Sequence, residues 1–195
     1  MTIPEINNLI KRAQLKQELK DEFDSTLEDR MNRSLEIDRQ WIIGNHYFSE
    51  ASAECIRLYR DGYFIATVMM SHAINEGIIK FIAERNSIQR HLKGQTKSEE
   101  ELLLELKTGN FISEDCLRVS QGIMRSFRAD IHHMNPSVAG IPFLELAKSN
   151  MERLSLMEKE IFFVNIFDGK LRPKNPQYWD LNSDGTVNAY LRIAS

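Results

Sequence analysis

Between Tyr63 and Arg85 the chain leaves little choice of fold. Phe64, Ile65, Val68, Met69, Ala73, Ile78, Ile79, Phe81 and Ile82 wrap most of the circumference of one helix. A helix that is apolar nearly all round has to be surrounded by others, so it belongs at the centre of a bundle. Residues 46–60 supply a first neighbour, with Phe48, Ala51, Cys55 and Tyr59 on one helical side. That helix ends at Asp61-Gly62, glycine being a good terminator. A turn this tight makes the two helices antiparallel neighbours. The fold class that follows is mainly α: an up-and-down bundle of four to five core helices, with an extra N-terminal helix and a short C-terminal β-hairpin.

The rest of the chain reads in the same terms. Over residues 4–38, Leu19, Phe23, Leu27, Met31 and Leu35 fall four apart. This predicts a long helix with one apolar face and one solvated face, broken near Asp24-Ser25-Thr26. Trp41 to Asn45 is a break. Asn86 to Lys97 is polar, holds Gly94 and reads as a loop. Ser98 followed by Glu99, Glu100 and Glu101 predicts an N-cap with acidic residues suited to the helix dipole. That helix stops at Gly109. Ser113-Glu114-Asp115 opens another, predicted to run to Met134 and to be stopped by Asn135-Pro136. Pro142 opens the last helix, over about 142–167. Beyond Asp168-Gly169, Pro173 and Pro176 exclude helix. Tyr178–Leu181 and Thr186–Leu191 flank the turn formers Asn182-Ser183-Asp184-Gly185, which predicts a β-hairpin. A lone hairpin is barely stable in water, so this one should pack on the bundle or on a second subunit. The expected organisation is a helical extension over 1–40, a bundle over 41–167 and a tail over 168–195 packed on the bundle.

Composition excludes several function classes. At 195 residues, 42% hydrophobic and 27% charged, the chain suits one globular domain with a real core. A net charge of −3 argues against a broadly basic nucleic-acid-coating protein but leaves room for a local basic patch. Cys55 and Cys116 lie in apolar helical stretches without CxxC spacing, as expected of buried free thiols in a reducing compartment. Met1 to Glu5 lacks the basic and apolar run of a signal peptide, and no apolar run approaches a membrane span. A cytoplasmic location is the default expectation. Asp180 to Gly185 begins like a calcium loop, but the twelfth position is Leu191, where a bidentate glutamate is needed. No phosphate-binding glycine loop is present. No cofactor and no metal site are expected, since a His-x3-Glu spacing alone falls short of three or four ligands.

The candidate chemistry lies in the helix before Pro136. Its apolar stripe is Leu117, Ser120, Met124, Phe127, Ile131 and Met134. On the next face the helical period aligns Gln121, Arg125, Arg128 and His132. An arginine offers a permanent charge and forked donors that match a phosphate. A histidine titrates near neutral pH and can pass a proton. The same residues also suit a solvated cationic helix end, which the dipole favours, and physics alone leaves both readings open. His72, Asn75 and Glu76 are polar residues in the most apolar helix. His72 and Glu76, four apart, can form a satisfied buried pair or the wall of an active cleft.

Phe127-Arg128-Ala129-Asp130-Ile131-His132-His133 resembles the R-x4-6-H motif of the HEPN family, in which four to six residues separate an arginine from a histidine. Arg128 and His133 match with four between, and Arg125 and His132 with six. The family commonly has a polar residue directly after the arginine, where this chain has Ala129. The helix pair from Tyr47-Phe48 through Leu58-Tyr59 and on to Ser71-His72-Ala73-Ile74-Asn75-Glu76 is also similar, so the likeness spans about residues 45–167. The resemblance implies a bundle that forms a homodimer with its motif helices meeting across the interface. It implies metal-independent cleavage of single-stranded RNA, with Arg128 holding the scissile phosphate and His133 moving protons as the ribose 2′-hydroxyl attacks. Arg125, His132 and Asp130 would support them. A toxin or defence role, with an antitoxin or other regulatory partner, goes with the family. So does an alternative, a non-catalytic module that binds nucleotide, RNA or a protein partner. An ideal helix sets His132 beside Arg128 and His133 about 140° away around the axis, so the helical period and the motif favour different histidines.

Overall fold

The computed structural model describes residues 3–89, 91, 92 and 95–192. The backbone divides into two units, one ending at Glu36 and the other beginning at Ile37. The first is a single helix, α1 (Ile3–Glu36). It continues through the break expected at Asp24-Ser25-Thr26. The Ser25 and Thr26 hydroxyls both donate back to the Glu22 carbonyl, at 2.8 and 3.0 Å. Bonded to the preceding turn, they no longer compete for the helix's own amides.

The second unit is mainly helical. Its elements are β1 (Ile42–Gly44), α2 (Ser49–Arg60), α3 (Phe64–Arg85), β2 (His91–Leu92), β3 (Gln95–Thr96), α4 (Glu99–Thr108), α5 (Glu114–Met124), α6 (Arg128–His133), α7 (Phe143–Ile161), β4 (Val164–Phe167), β5 (Lys170–Pro173) and β6 (Ala189–Leu191). As its all-round apolar pattern requires, α3 is central. It packs against α2, α4, α5, α6 and α7, and Val68, Ile74, Ile78, Ile79 and Ile82 are fully buried. Helix α7 closes the bundle against α3 and α5. The start of α4 is set by a capping box: Ser98 Oγ accepts from the Glu101 amide while the Glu101 carboxylate accepts from the Ser98 amide. Asp61-Gly62 ends α2, with Gly62 at φ +87°. Among the described residues, no helix is long and apolar enough to cross a membrane.

Beside the unbroken α1 and the short β2–β3 pairing in the loop, four expectations change. The break at Trp41 to Asn45 contains strand β1, which pairs antiparallel with β6, Ile43 opposite Tyr190. The last helix ends at Ile161 instead of 167. Residues 164–173 form the β4–β5 hairpin around Asp168 and Gly169, both at positive φ. An Asp-Gly pair at positive φ is what a two-residue hairpin turn demands, so the helix-ending signal at 168–169 was a hairpin signal. The predicted hairpin over 178–191 is reduced to a single bridge, Leu181 to Val187, because 189–191 pairs with β1 instead. Asp184 closes its turn by accepting from the Thr186 amide and hydroxyl, which helps hold its carboxyl down to about 2. The tail still joins the core: Tyr178 and Trp179 are buried, packed against Phe81 and Phe162. In the loop over 86–97, β2 and β3 pair, while Arg90, Lys93 and Gly94 lie outside the described residues. The fourth change, in the helix before Pro136, makes the site.

Candidate functional site

The helix predicted over 114–134 is two helices. α5 stops at Met124, and α6 starts at Arg128. Ser126 explains the break. Its hydroxyl donates to the Ile123 carbonyl at 2.6 Å, accepts from Asn150 Nδ2 at 2.9 Å and lies 2.9 Å from His72 Nε2. His72 Nε2 is also 3.2 Å from the Ser126 carbonyl oxygen. Because the hydroxyl proton is spent on Ile123, the ring must donate from Nε2 to both oxygens. Burial pushes the His72 imidazole below its usual range; the Ser126 carbonyl opposes this and the Arg128 charge adds to it. His72 is therefore a neutral donor. Asn150 is fully buried and also donates to Ser71 Oγ at 2.9 Å. A polar cluster from α3 and α7 thus draws Ser126 inward and costs α5 its continuation. The chain reverses through Phe127 at φ +60°, a left-handed conformation that a bulky side chain adopts only under constraint.

This break places the candidate residues. Arg125, Arg128, Asp130, His132 and His133 all line one open pocket of about 550 Å³, with Met69, Met124, Phe127 and Ala129 as its apolar part. The alignment of Gln121, Arg125, Arg128 and His132 on one continuous helical face does not occur, because the helix is interrupted between Arg125 and Arg128. Arg128 and His133 instead stand at the two ends of a six-residue helix, about 8 Å apart along its axis. His132 and His133 are edge to face, ring centroids 5.0 Å apart.

Arg128 is half exposed, and its Nη1 lies 3.4 Å from Glu76 and 3.3 Å from Glu99. Burial raises the Glu99 carboxyl, and its hydrogen bond to Glu76 and the charge there raise it further, against the pull of Arg128. Burial works to raise Glu76 too, but Lys80, the bond to Glu99 and the Arg128 charge hold it low. Of the two carboxyls, Glu99 is thus the one that takes up a proton first as the pH falls. Arg125, more exposed, is 3.7 Å from Glu100.

The remaining sequence candidates have other work. Asp130 accepts from Asn135 Nδ2 at 3.1 Å and Ser137 Oγ at 2.9 Å, which lowers its carboxyl and fastens the turn after α6. His72 bonds Ser126, and Glu76 bonds Lys80 and Arg128, so the expected His72–Glu76 pair is replaced by partners from other turns and elements. Asn75 is buried and accepts from Ser120 at 2.8 Å. His72 and Asn75 are therefore a buried support behind the pocket. Sequence reading missed Ser126, Asn150 and Glu99. The signals were present: a serine one place from the apolar stripe residue Phe127, an asparagine on the buried face of α7, and an acidic residue read only as a helix-start charge. Among the described residues, no group of three or more His, Cys, Asp or Glu is arranged to hold a metal. Cys55 and Cys116 are free and buried, and burial pushes both thiols up.

Two guanidinium groups and two imidazoles around an apolar floor suit an anionic ligand that carries a flat or apolar part. Compared with known proteins, the chain matches no family model, no curated protein and no solved structure.

Proposed function

We propose that the second unit is a HEPN-like bundle and that its Arg128 pocket binds and cleaves single-stranded RNA without a metal. The observation that carries this is the convergence of Arg125, Arg128, His132 and His133 on one open pocket at a helix break. In this reading the arginines hold the non-bridging oxygens of one phosphodiester. The ribose 2′-oxygen attacks phosphorus, the bond to the 5′-oxygen breaks, and a histidine moves the protons between them. His133 takes that role in the motif, with His132 beside it. Phe127, Met69 and Met124 offer the flanking bases an apolar surface. The reading carries with it a homodimer with facing α6 segments, and a place in defence or as a toxin held by a regulatory protein.

The test is incubation of purified protein with end-labelled single-stranded RNA in chelator. Cleavage to a 2′,3′-cyclic phosphate is expected, and Arg128→Ala and His133→Ala should each abolish it while the circular dichroism spectrum stays native. Undiminished cleavage by both variants would remove the catalytic assignment.

A second reading has an observation of its own. Arg128 already faces two carboxyl groups, Glu76 and Glu99. A guanidinium so engaged suits a module that binds a phosphate-bearing ligand weakly and leaves it intact. RNA retention without product in the same assay is its outcome.

A further inference from the structure

Helix α1 runs for 34 residues, about 50 Å, and none of its described side chains is buried. Ile3, Ile6, Ile10, Leu27, Met31 and their apolar neighbours stand in the open, Ile3 at 75% and Leu35 at 80% exposure. Long exposed apolar rows of this kind mark an interaction surface. We propose that α1 pairs with α1 of a second copy of this chain, antiparallel.

Two features of the helix select that partner and that direction. The first is charge. Residues 3–20 hold Lys11, Arg12, Lys16 and Lys20 against Glu5 and Glu18, while residues 21–36 hold six carboxylates against Arg30 and Arg33. An antiparallel partner sets the basic half of one helix on the acidic half of the other, at both ends. A parallel partner sets like on like.

The second feature is register. A seven-residue spacing, the repeat of paired helices, puts Ile3, Ile10 and Met31 on one seam row and Ile6 and Leu27 on the other. Antiparallel pairing on those rows brings Ile10 opposite Leu27 and Ile6 opposite Met31, which makes two equivalent apolar clusters about a polar centre. Lys20 then faces Gln17, and Asp24 faces Ala13. In-register parallel pairing would bury Lys20 against Lys20 and Asp24 against Asp24 on the same seam. Like charges facing each other there exclude the parallel arrangement. This pairing does not rest on the chemistry proposed for the Arg128 pocket.

The test uses the full chain. Light scattering after gel filtration, over a range of concentrations, should return a dimer. Ile10→Asp and Leu27→Lys should each abolish the α1–α1 cross-link described next, whatever contact the α6 segments make, with helical content retained. Cross-linking fixes the direction, since the native cysteines are buried. Under oxidation Gln17→Cys, near the centre of the pair, should form the disulfide dimer, and Ile10→Cys, on the same seam row but near one end, should not, whereas a parallel pair would link both. A wild-type monomer at all concentrations overturns the proposal. So does an α1–α1 cross-link through Gln17→Cys that survives each apolar substitution, or cross-linking through Ile10→Cys as efficient as through Gln17→Cys.

Discussion

The arginine–glutamate contacts of Arg192 and of Arg128, both in the second unit, differ in almost every respect. Arg192 and Glu158 have side chains only 2% and 4% exposed, and they meet at 2.7 Å. Ser52 completes the contact, donating to Glu158 at 2.7 Å and accepting from Arg192 at 2.8 Å, while the second Arg192 amino group donates to the Gln40 carbonyl. This pair ties the chain just after β6 to α7, α2 and the segment before β1. Arg128, half exposed, instead lies 3.3–3.4 Å from two carboxyl groups. A buried charge whose donors are largely satisfied cannot exchange partners without a large desolvation cost. An exposed one at the outer limit of hydrogen-bond distance exchanges cheaply, because water screens what it leaves. One contact is a latch for the fold, and the other leaves a guanidinium available to a phosphate.

Removing half of the latch should have the largest effect. Arg192→Ala leaves Glu158 buried and unpaired and should cost about 3–5 kcal/mol, read as a lower midpoint in urea unfolding. Replacing Arg192 and Glu158 together by apolar residues of similar volume should recover most of that loss. A single substitution as mild as the double one would erase the distinction between the two contacts. Next is the cluster behind the pocket. Ser126→Ala removes one of the two acceptors of His72 and one of the two of Asn150, and should cost about 1–3 kcal/mol. It should also slow cleavage, because α5 is then free to continue through Arg125 and re-aim α6, Arg128 and His133 together, relative to Arg125. Loss of stability with full activity would show that the break does not position the site.

How much of this was readable in advance follows from the range of the interactions. The central helix, the Ser98 cap and the Asp61-Gly62 stop depend on residues within a turn or two, and all three are where the sequence puts them. Arg125, Arg128, Asp130, His132 and His133 were candidates in the sequence and line one pocket, whereas Met69 comes to it from another helix and was not among them. The break that shapes the pocket was not readable. Ser126 leaves the helix for Asn150 and His72, 24 and 54 residues away, and no local propensity encodes that competition. The β1–β6 pairing failed for the same reason. Helix α5 kept its apolar stripe as far as Met124, so periodicity gave no warning of where it would stop.

A smaller effect separates the two regions by pH. His46 sits among Phe48, Phe81 and Phe162, its ring centroid 4.1 Å from that of Phe81. Burial pushes it from 6.5 to about 4; Asp180 opposes this, Arg85 adds to it, and the Tyr178 backbone opposes it. The unfolded chain therefore takes up the proton first. Stability from this group is full above about pH 6.5, falls as the pH drops toward about 4, and falls no further below that. The loss should be on the order of 1–2 kcal/mol, after allowance for the part of the ring that water reaches. His46→Phe should flatten that part of a Tm-against-pH curve, whereas Arg128→Ala should leave it unchanged.

The smallest effect tests the exposed contact itself. Glu99 is the carboxyl that burial and Glu76 push up, and it shares Arg128 with Glu76. Glu99→Gln keeps the shape and takes away the titrating group. Folding stability should move by no more than about 0.5 kcal/mol, as for other surface charges. Binding should move more visibly. A guanidinium with one carboxyl competitor fewer should hold a short single-stranded RNA up to about fivefold tighter, from the 0.2–1 kcal/mol typical of exposed pairs. The measurement belongs in a His133→Ala background, so that cleavage does not deplete the ligand. Glu114→Gln is the control, since Glu114 faces Lys107 at 3.4 Å and neither lines the pocket. If both glutamines tighten binding equally, the gain is general charge and Arg128 has no special hold on the phosphate. If Glu99→Gln alone does so, the carboxyl pair is what the ligand has to displace.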